Sequence, residues 1–175
     1  LAYSTTARVA RSLGAGRLAE GLSAGISAMW LGLFIGVGTL AAVVPLAAWI
    51  IGWFNAPESV AAEGAAYLSV SSFGLPAMLV VQAATGVVRG LQDTKTPLYV
   101  AAGAAIVNVP LSIALTFVAQ WGIVGAAVAT VLCQWAMAGV LAWVVARRTR
   151  GLEVPLRPSF AGVHDAWRDG VWLLL

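Results

Sequence analysis

Four polar residues, Asn108, Ser112, Thr116 and Gln120, follow one another at i, i+4 within a stretch that has no Asp, Glu, Lys or Arg between Lys95 and Arg147. That spacing puts them on one slowly drifting helix stripe. Their amides and hydroxyls can bind a polar substrate or coordinate a cation through neutral oxygens. Pro110 lies within the stripe, removes a donor and frees the carbonyl of Ile106. Thr130 and Gln134 form a second i, i+4 pair, and Gln82, Thr85 and Arg89 share a third face. Two readings of these groups stay open. They face a water-filled cavity that binds substrate or ion, or they are interhelical hydrogen-bonding glue worth about 0.6 kcal/mol per contact. The stripe through Asn108 favours the cavity, Gln82 and Thr85 favour glue, and Thr130 with Gln134 stand between.

Other chemistry has little footing. Gly36-Val37-Gly38 lies in an apolar stretch with no strand before it, so it is not a dinucleotide fingerprint. Gly14-Ala15-Gly16 lacks the Gly-Lys-Ser/Thr of a phosphate loop. His164 is the one histidine and reads as solvated, with Asp165, Arg168 and Asp169 paired or facing water beside it. The sequence contains no Ser/His/Asp set, metal cluster or paired catalytic acids. The expectation is a protein that is not an enzyme and needs no metal or organic cofactor.

The elements that must carry the polar stripes are membrane helices. The uncharged stretch from Lys95 to Arg147 would measure roughly 75 Å as one helix, against a bilayer core of about 30 Å. It is therefore a hairpin of two spans, turning at Gln120-Trp121-Gly122. The whole chain agrees: 175 residues, 61% hydrophobic and 10% charged, where a soluble domain carries about 25% charged residues. The fold class predicted is all-α, a polytopic transmembrane bundle of about four full spans. These run over about 23–53, 64–88, 97–119 and 123–146, followed by a cytoplasmic connector at 147–169 and a further span starting at 170–175. Both ends read as cut, so the chain is expected to be a fragment. Pro45, Pro76 and Pro110 are expected bending points. Gly21 with Gly25, and Gly32 with Gly36, are four-residue pairs that let a neighbouring helix approach closely. Cys133, the single cysteine, reads as a small apolar packing residue in mid-span.

Charge gives the orientation. All ten Lys and Arg residues fall in alternate loops, and the loops around Glu58 and Trp121 hold none. By the positive-inside rule the basic loops face the cytoplasm. Trp49, Trp53 and Trp121 then fall at the outer interface, as an aromatic belt requires. The net charge of +3 is thus a topology signal and not a nucleic-acid surface.

Longer motifs then carry a resemblance. Gly74-Leu-Pro76, followed by Ala84-Thr-Gly86-Val-Val-Arg89-Gly-Leu-Gln-Asp93-Thr-Lys95-Thr-Pro97, resembles a segment of the MATE (multidrug and toxic compound extrusion) family, in its DinF-like branch. Arg89, Asp93, Lys95 and Pro97 are the core of this loop motif. Ala7-Arg8 with Leu13-Gly-Ala-Gly16-Arg17 is similar to that family's loop between helices two and three, and Gly122-Ile-Val-Gly125 through Thr130 and Gln134 to its sixth helix. The resemblance implies part of the N-terminal lobe of a twelve-helix, two-lobe antiporter in the cell membrane. Such a transporter exports drugs or other amphiphilic compounds in exchange for protons or sodium by alternating access. Its partners would be the lipid bilayer, a small organic substrate and the missing helices of the same protein. It implies a cavity in which Asn108 and Thr130 match the family's Asn and Thr. The family's Asp, four residues after that Asn, is Ser112 here. A serine hydroxyl does not titrate in the physiological range, so a coupling acid would lie in other helices, or sodium would use neutral oxygens. A lipid-linked saccharide or polysaccharide flippase of the same superfamily is the alternative, although its cavity would call for intramembrane Arg or Lys. A non-transporting membrane scaffold is another.

Overall fold

The computed structural model describes residues 2–55, 57–150 and 152, and these fold as helices joined by short turns. The connector from Glu153 on, with Arg157, His164, Asp165, Arg168, Asp169 and the apolar stretch beginning at Gly170, lies outside the described residues. Six α-helices follow in order: α1 (Ala2–Gly14), α2 (Leu18–Gly52), α3 (Glu58–Ser72), α4 (Leu75–Gly90), α5 (Lys95–Ile113) and α6 (Gly122–Arg148), with a π-helical segment (Ala114–Val118) extending α5. Three of them, α2, α5 with its extension, and α6, are long and apolar enough to cross a membrane. The α3–α4 pair is long and apolar enough for a fourth only when the two helices, bent by 41° at their break, are taken as one span.

Local chemistry explains the boundaries. The turn between α1 and α2 is a Schellman motif: Gly16 takes φ +72°, Arg17 N–H reaches Ser12 O at 2.8 Å, and Gly16 N–H reaches Leu13 O at 3.0 Å. The other turns use Asn55, Gln92 and Gln120 at positive φ, followed after Gln120 by Gly122 at φ +57°. The α3–α4 break falls at Phe73-Gly74, ahead of Pro76, which has no N–H to return to the Ser72 carbonyl. Pro45, in contrast, sits inside α2 without ending it, and Pro110 sits inside α5, four residues before the π-helical segment begins. The apolar run carrying the bent crossing is helical from Glu58, several residues ahead of Gly64.

Packing centres on α4. A core of Val9, Leu22, Ile26, Ala84, Val87, Val88, Leu141 and Val145 joins α1, α2, α4 and α6. Both glycine pairs of α2 are buried. A methyl at Gly21 would lie 2.9 Å from Ser12 Cβ, one at Gly25 would strike Val87, one at Gly32 would lie 3.0 Å from Leu79 O, and one at Gly36 would strike the Pro76 backbone. Small residues thus bring α2 against α1 and α4, backbone to backbone in places. These contacts also gather every described Lys and Arg at one end of the bundle, where α1 meets α2, α4 meets α5 and α6 ends. The opposite end carries Glu58 and Glu63 and exposed Trp49, Trp53 and Trp121.

Candidate functional site

The polar groups of α5 and α6 meet different fates. Asn108, Ser112 and Thr116 are half-buried, Gln120 exposed. Among the described residues the side chains of Asn108, Ser112 and Thr116 make no hydrogen bond. They sit on a helix whose most apolar window has no buried residue. A groove of about 260 Å³ runs between α5 and α6, lined by residues that include Tyr99, Val100, Ala104, Val107, Cys133 and Met137. The i, i+4 row that carries the polar stripe starts in the wall of this groove, at Val100 and Ala104. It winds out of the groove by Asn108, because each step of four residues advances about 40° around the helix.

Beyond Ser112 the helix widens. Ala119 N–H donates to Ala114 O at 2.9 Å, an i→i+5 bond, and Thr116 lies within this π turn. Such turns are frequent at functional sites. Gly125 of α6 makes room for it: a Cβ there would lie 2.7 Å from the Leu115 carbonyl and 2.9 Å from Thr116 N. The α5 extension therefore rests directly on the α6 backbone.

Thr130 and Gln134 have local employment. The Thr130 hydroxyl donates to Ala126 O at 3.0 Å, within its own helix. Gln134 turns toward the α3–α4 break, where its Oε1 occupies the space a Cβ of Gly74 would need. Next to it, Trp135 Nε1 donates to Phe73 O at 3.0 Å. The Ser71 hydroxyl is buried beside this break without a hydrogen-bond partner among the described residues. Trp135, Phe73 and Ser71 were not legible as a group. The available signal was an indole donor beside Gln134 in one apolar span and a Gly-x-Pro break freeing a carbonyl in another.

Gln82, Thr85 and Arg89 lie along α4: Thr85 is half-buried, Gln82 and Arg89 exposed. In the loop that follows, Asp93 caps α5. It accepts the Thr96 N–H at 3.0 Å and the Thr96 hydroxyl at 2.8 Å, and pairs with Arg148 at 3.3 Å. The Thr96 backbone and hydroxyl donors, and then Arg148, hold the Asp93 carboxyl below its ordinary value of 3.8. Lys95 starts α5 exposed, and Pro97, in its first turn, is buried. The loop motif is thus a capped helix start tied to the end of α6.

Residues 1–114 match the MatE family profile. "Protein DETOXIFICATION 42" of Arabidopsis thaliana is 38% identical over 113 residues, 65% of this chain and 22% of that protein. "Probable multidrug resistance protein NorM" of Thermotoga maritima is 30% identical over 148 residues, 82% of this chain and 32% of that protein. The chain therefore spans a third or less of the length of these curated relatives. Among solved structures, a MATE protein in complex with MaD3S superposes with a TM-score of 0.82 at 23% identity, covering 97% of this chain and 39% of the other. A MOP superfamily transporter from Pyrococcus furiosus gives a TM-score of 0.83 at 21% identity, again over 97% of this chain and 38% of the other. At those identities the structures establish the helical arrangement, and the profile match over well over half of the chain establishes kinship. By that match the chain belongs to the MATE family.

Proposed function

We propose that this chain supplies part of the N-terminal lobe of a secondary active efflux transporter of the DinF-like branch. That transporter exports drugs or other amphiphilic organic compounds in exchange for protons or sodium by alternating access, with its basic loops in the cytoplasm of the cell that bears it. Asn108, Ser112 and Thr116 of α5, with Thr130 and Gln134 of α6, line the lobe's cavity, and Pro110 lets α5 change shape between states. The observation that carries this reading is the α5 stripe. Three half-buried polar side chains stand in a charge-free membrane span without a hydrogen bond among the described residues. In hydrocarbon such groups are costly, so they call for water, substrate, ion or another part of the protein. None of the five side chains titrates in the physiological range. This half of the cavity therefore hydrogen-bonds and orients, and proton coupling uses an acid elsewhere in the full-length protein.

The test is Asn108→Leu in the full-length transporter. Dye efflux from cells should fall to background while membrane insertion and expression match the wild type. Normal efflux from that variant would remove Asn108 from the cavity and leave the stripe as packing.

A further inference from the structure

The apolar groove between α5 and α6 ends among basic groups. Tyr99, Gly103 and Val107 follow one another at i, i+4 along its α5 wall, and Cys133, Met137 and Val140 line its α6 wall. Cys133 is buried, whereas Tyr99, Val107 and Val140 are 70%, 56% and 45% exposed, so the groove opens outward from the described bundle. From Tyr99 to Val107 the wall covers about 12 Å at 1.5 Å per residue, most of one leaflet of a bilayer core about 30 Å thick. Midway, at Gly103, a Cβ would meet nothing within 4 Å. The same helix faces continue past the groove to the basic end of the bundle. Lys95 stands one turn before Tyr99, and the α6 row runs from Val140 through Trp143 to Arg147. The ion pair of Asp93 with Arg148, at 3.3 Å, ties the start of α5 to the end of α6, so Lys95 and Arg147 stand on adjoining helix ends. Asp93, the acid at this corner, is already engaged with Thr96 and Arg148. Lys95 and Arg147 are exposed and have no acidic partner among the described residues. Arg147 lies over the Trp143 ring at 5.4 Å, a contact through its face that leaves its N–H edge available.

A cleft in hydrocarbon with two cations at its surface end has the polarity of a phospholipid, with a chain for the cleft and a phosphate for the cations. A neighbouring helix would cover the apolar walls, but it would not account for the cations. Basic sites between membrane helices suit anionic headgroups, and a guanidinium fork matches phosphate oxygens in bidentate pairs while an ammonium adds a point charge. Trp143 is an interfacial residue by type and marks the headgroup level. We propose that the α5–α6 groove binds an anionic phospholipid. One acyl chain lies along Tyr99, Gly103 and Val107, and Lys95 with Arg147 holds the phosphate. The lipid then clamps α5 to α6 beside the Asp93–Arg148 pair. The stripe of Asn108, Ser112 and Thr116 winds out of this groove, so the lipid site stands apart from the cavity proposed above and does not depend on what the transporter carries.

The experiment uses the full-length transporter, delipidated in detergent and titrated with phosphatidylglycerol or phosphatidylcholine, with bound lipid counted by native mass spectrometry. Wild-type protein should retain phosphatidylglycerol preferentially. Lys95→Gln/Arg147→Gln should bind it roughly 30-fold more weakly. Arg11→Gln/Arg17→Gln removes the same charge from another corner of the same end and should change retention by less than a third of that factor. Gly103→Leu fills the groove and should weaken retention of both lipids severalfold, whereas Gly139→Leu, which adds the same side chain to α6 where a Cβ also meets nothing within 4 Å, should leave it unchanged. Equal losses in the two charge variants would overturn the site in favour of diffuse attraction. Unchanged retention in Gly103→Leu with a lowered denaturation midpoint would show another helix of the protein in the groove and overturn the lipid assignment. Should the variants fail to fold, wild-type protein irradiated with phosphatidylglycerol that carries a photoreactive acyl chain should cross-link within residues 99–107 and 133–140. Cross-links spread evenly over the spans would refute the site.

Discussion

Gly36→Ala and Gly38→Ala, two residues apart in one apolar helix, should behave oppositely. A methyl at Gly36 would strike the backbone of Pro76, with Pro76 N at 2.8 Å; a methyl at Gly38 meets nothing within 4 Å. Ordinary contact needs about 3.5 Å, so the α2 and α4 backbones must separate by at least about 0.7 Å to admit the Gly36 methyl, since Pro76 Cα lies closer still than Pro76 N. A rigid proline ring within a buried turn has no side-chain rotation to offer. A gap of that size forfeits roughly a quarter to a half of each dispersion contact it opens. The same interface contains Gly25 against Val87 and Gly32 against Leu79, so the loss spreads along it. Overpacking of this kind costs about 1–3 kcal/mol, a factor of roughly 5 to 150 in the folding equilibrium. Gly38→Ala should be near neutral, because helices separated within a bilayer or micelle remain helical and the propensity gain largely cancels. The assay is denaturation of each variant by a graded mole fraction of SDS in mixed micelles, followed by tryptophan fluorescence. Equal midpoints for the two variants would refute the close α2–α4 contact and the sequence reasoning about glycine pairs behind it.

Other perturbations address the remaining contacts. Trp135→Phe keeps an aromatic ring but deletes the donor to Phe73 O; it should destabilise by about 0.6 kcal/mol and at most about 1.7 kcal/mol, measured by the same denaturation. Gly74→Ala should cost more, since its methyl displaces the Gln134 amide, and pairing it with Gln134→Ala should recover part of the loss. Asp93→Asn weakens the α5 cap and the tie to Arg148, a change of roughly 1 kcal/mol at neutral pH. Because the folded-state carboxyl titrates below its ordinary 3.8, its contribution is present above that value and is lost as pH falls through the lower folded value. Wild type and variant should therefore differ at pH 7 and converge in acid; a gap that widened as the pH fell would sink this account.

Much of the fold was legible because single-helix rules decide it. Charge-free runs longer than a bilayer is thick must contain turns, and Gln120 and Gly122 supply the positive φ angles that one of those turns uses. Glycines four apart can be read as a close helix contact, although the partner cannot: nothing within α2 says that Gly36 will meet Pro76 and Gly21 will meet Ser12. Contacts between distant segments remain hidden for the same reason. Periodicity describes which residues of one helix share a face, whereas the bond from Trp135 to Phe73 joins residues 62 apart in sequence. The π turn was equally out of reach. It depends on Gly125 admitting the Leu115 carbonyl from another helix, and no local propensity in Ala114–Val118 reports that.

The two readings of the polar stripes, cavity or glue, also divide more sharply in three dimensions than along the chain. A buried polar group is costly until it finds a partner, so the useful distinction is between groups whose partners lie within this chain and groups whose partners do not. The Thr130 hydroxyl hydrogen is committed to Ala126 O. Gln134 is pressed into the gap at Gly74, beside a break whose Phe73 carbonyl is already held by Trp135. Their first duty is to hold α6 against the bent crossing, and any cavity role is shared with that one. Asn108, Ser112 and Thr116 have no such contacts among the described residues, yet they lie on the helix that leads into the π turn. Removing polarity from α6 should therefore register first as lost stability. Removing it from α5 should register first as lost transport with the denaturation midpoint unchanged. A Gln134→Leu variant as stable as wild type but inactive, set against an Asn108→Leu variant that is unstable, would reverse the assignment of the two helices.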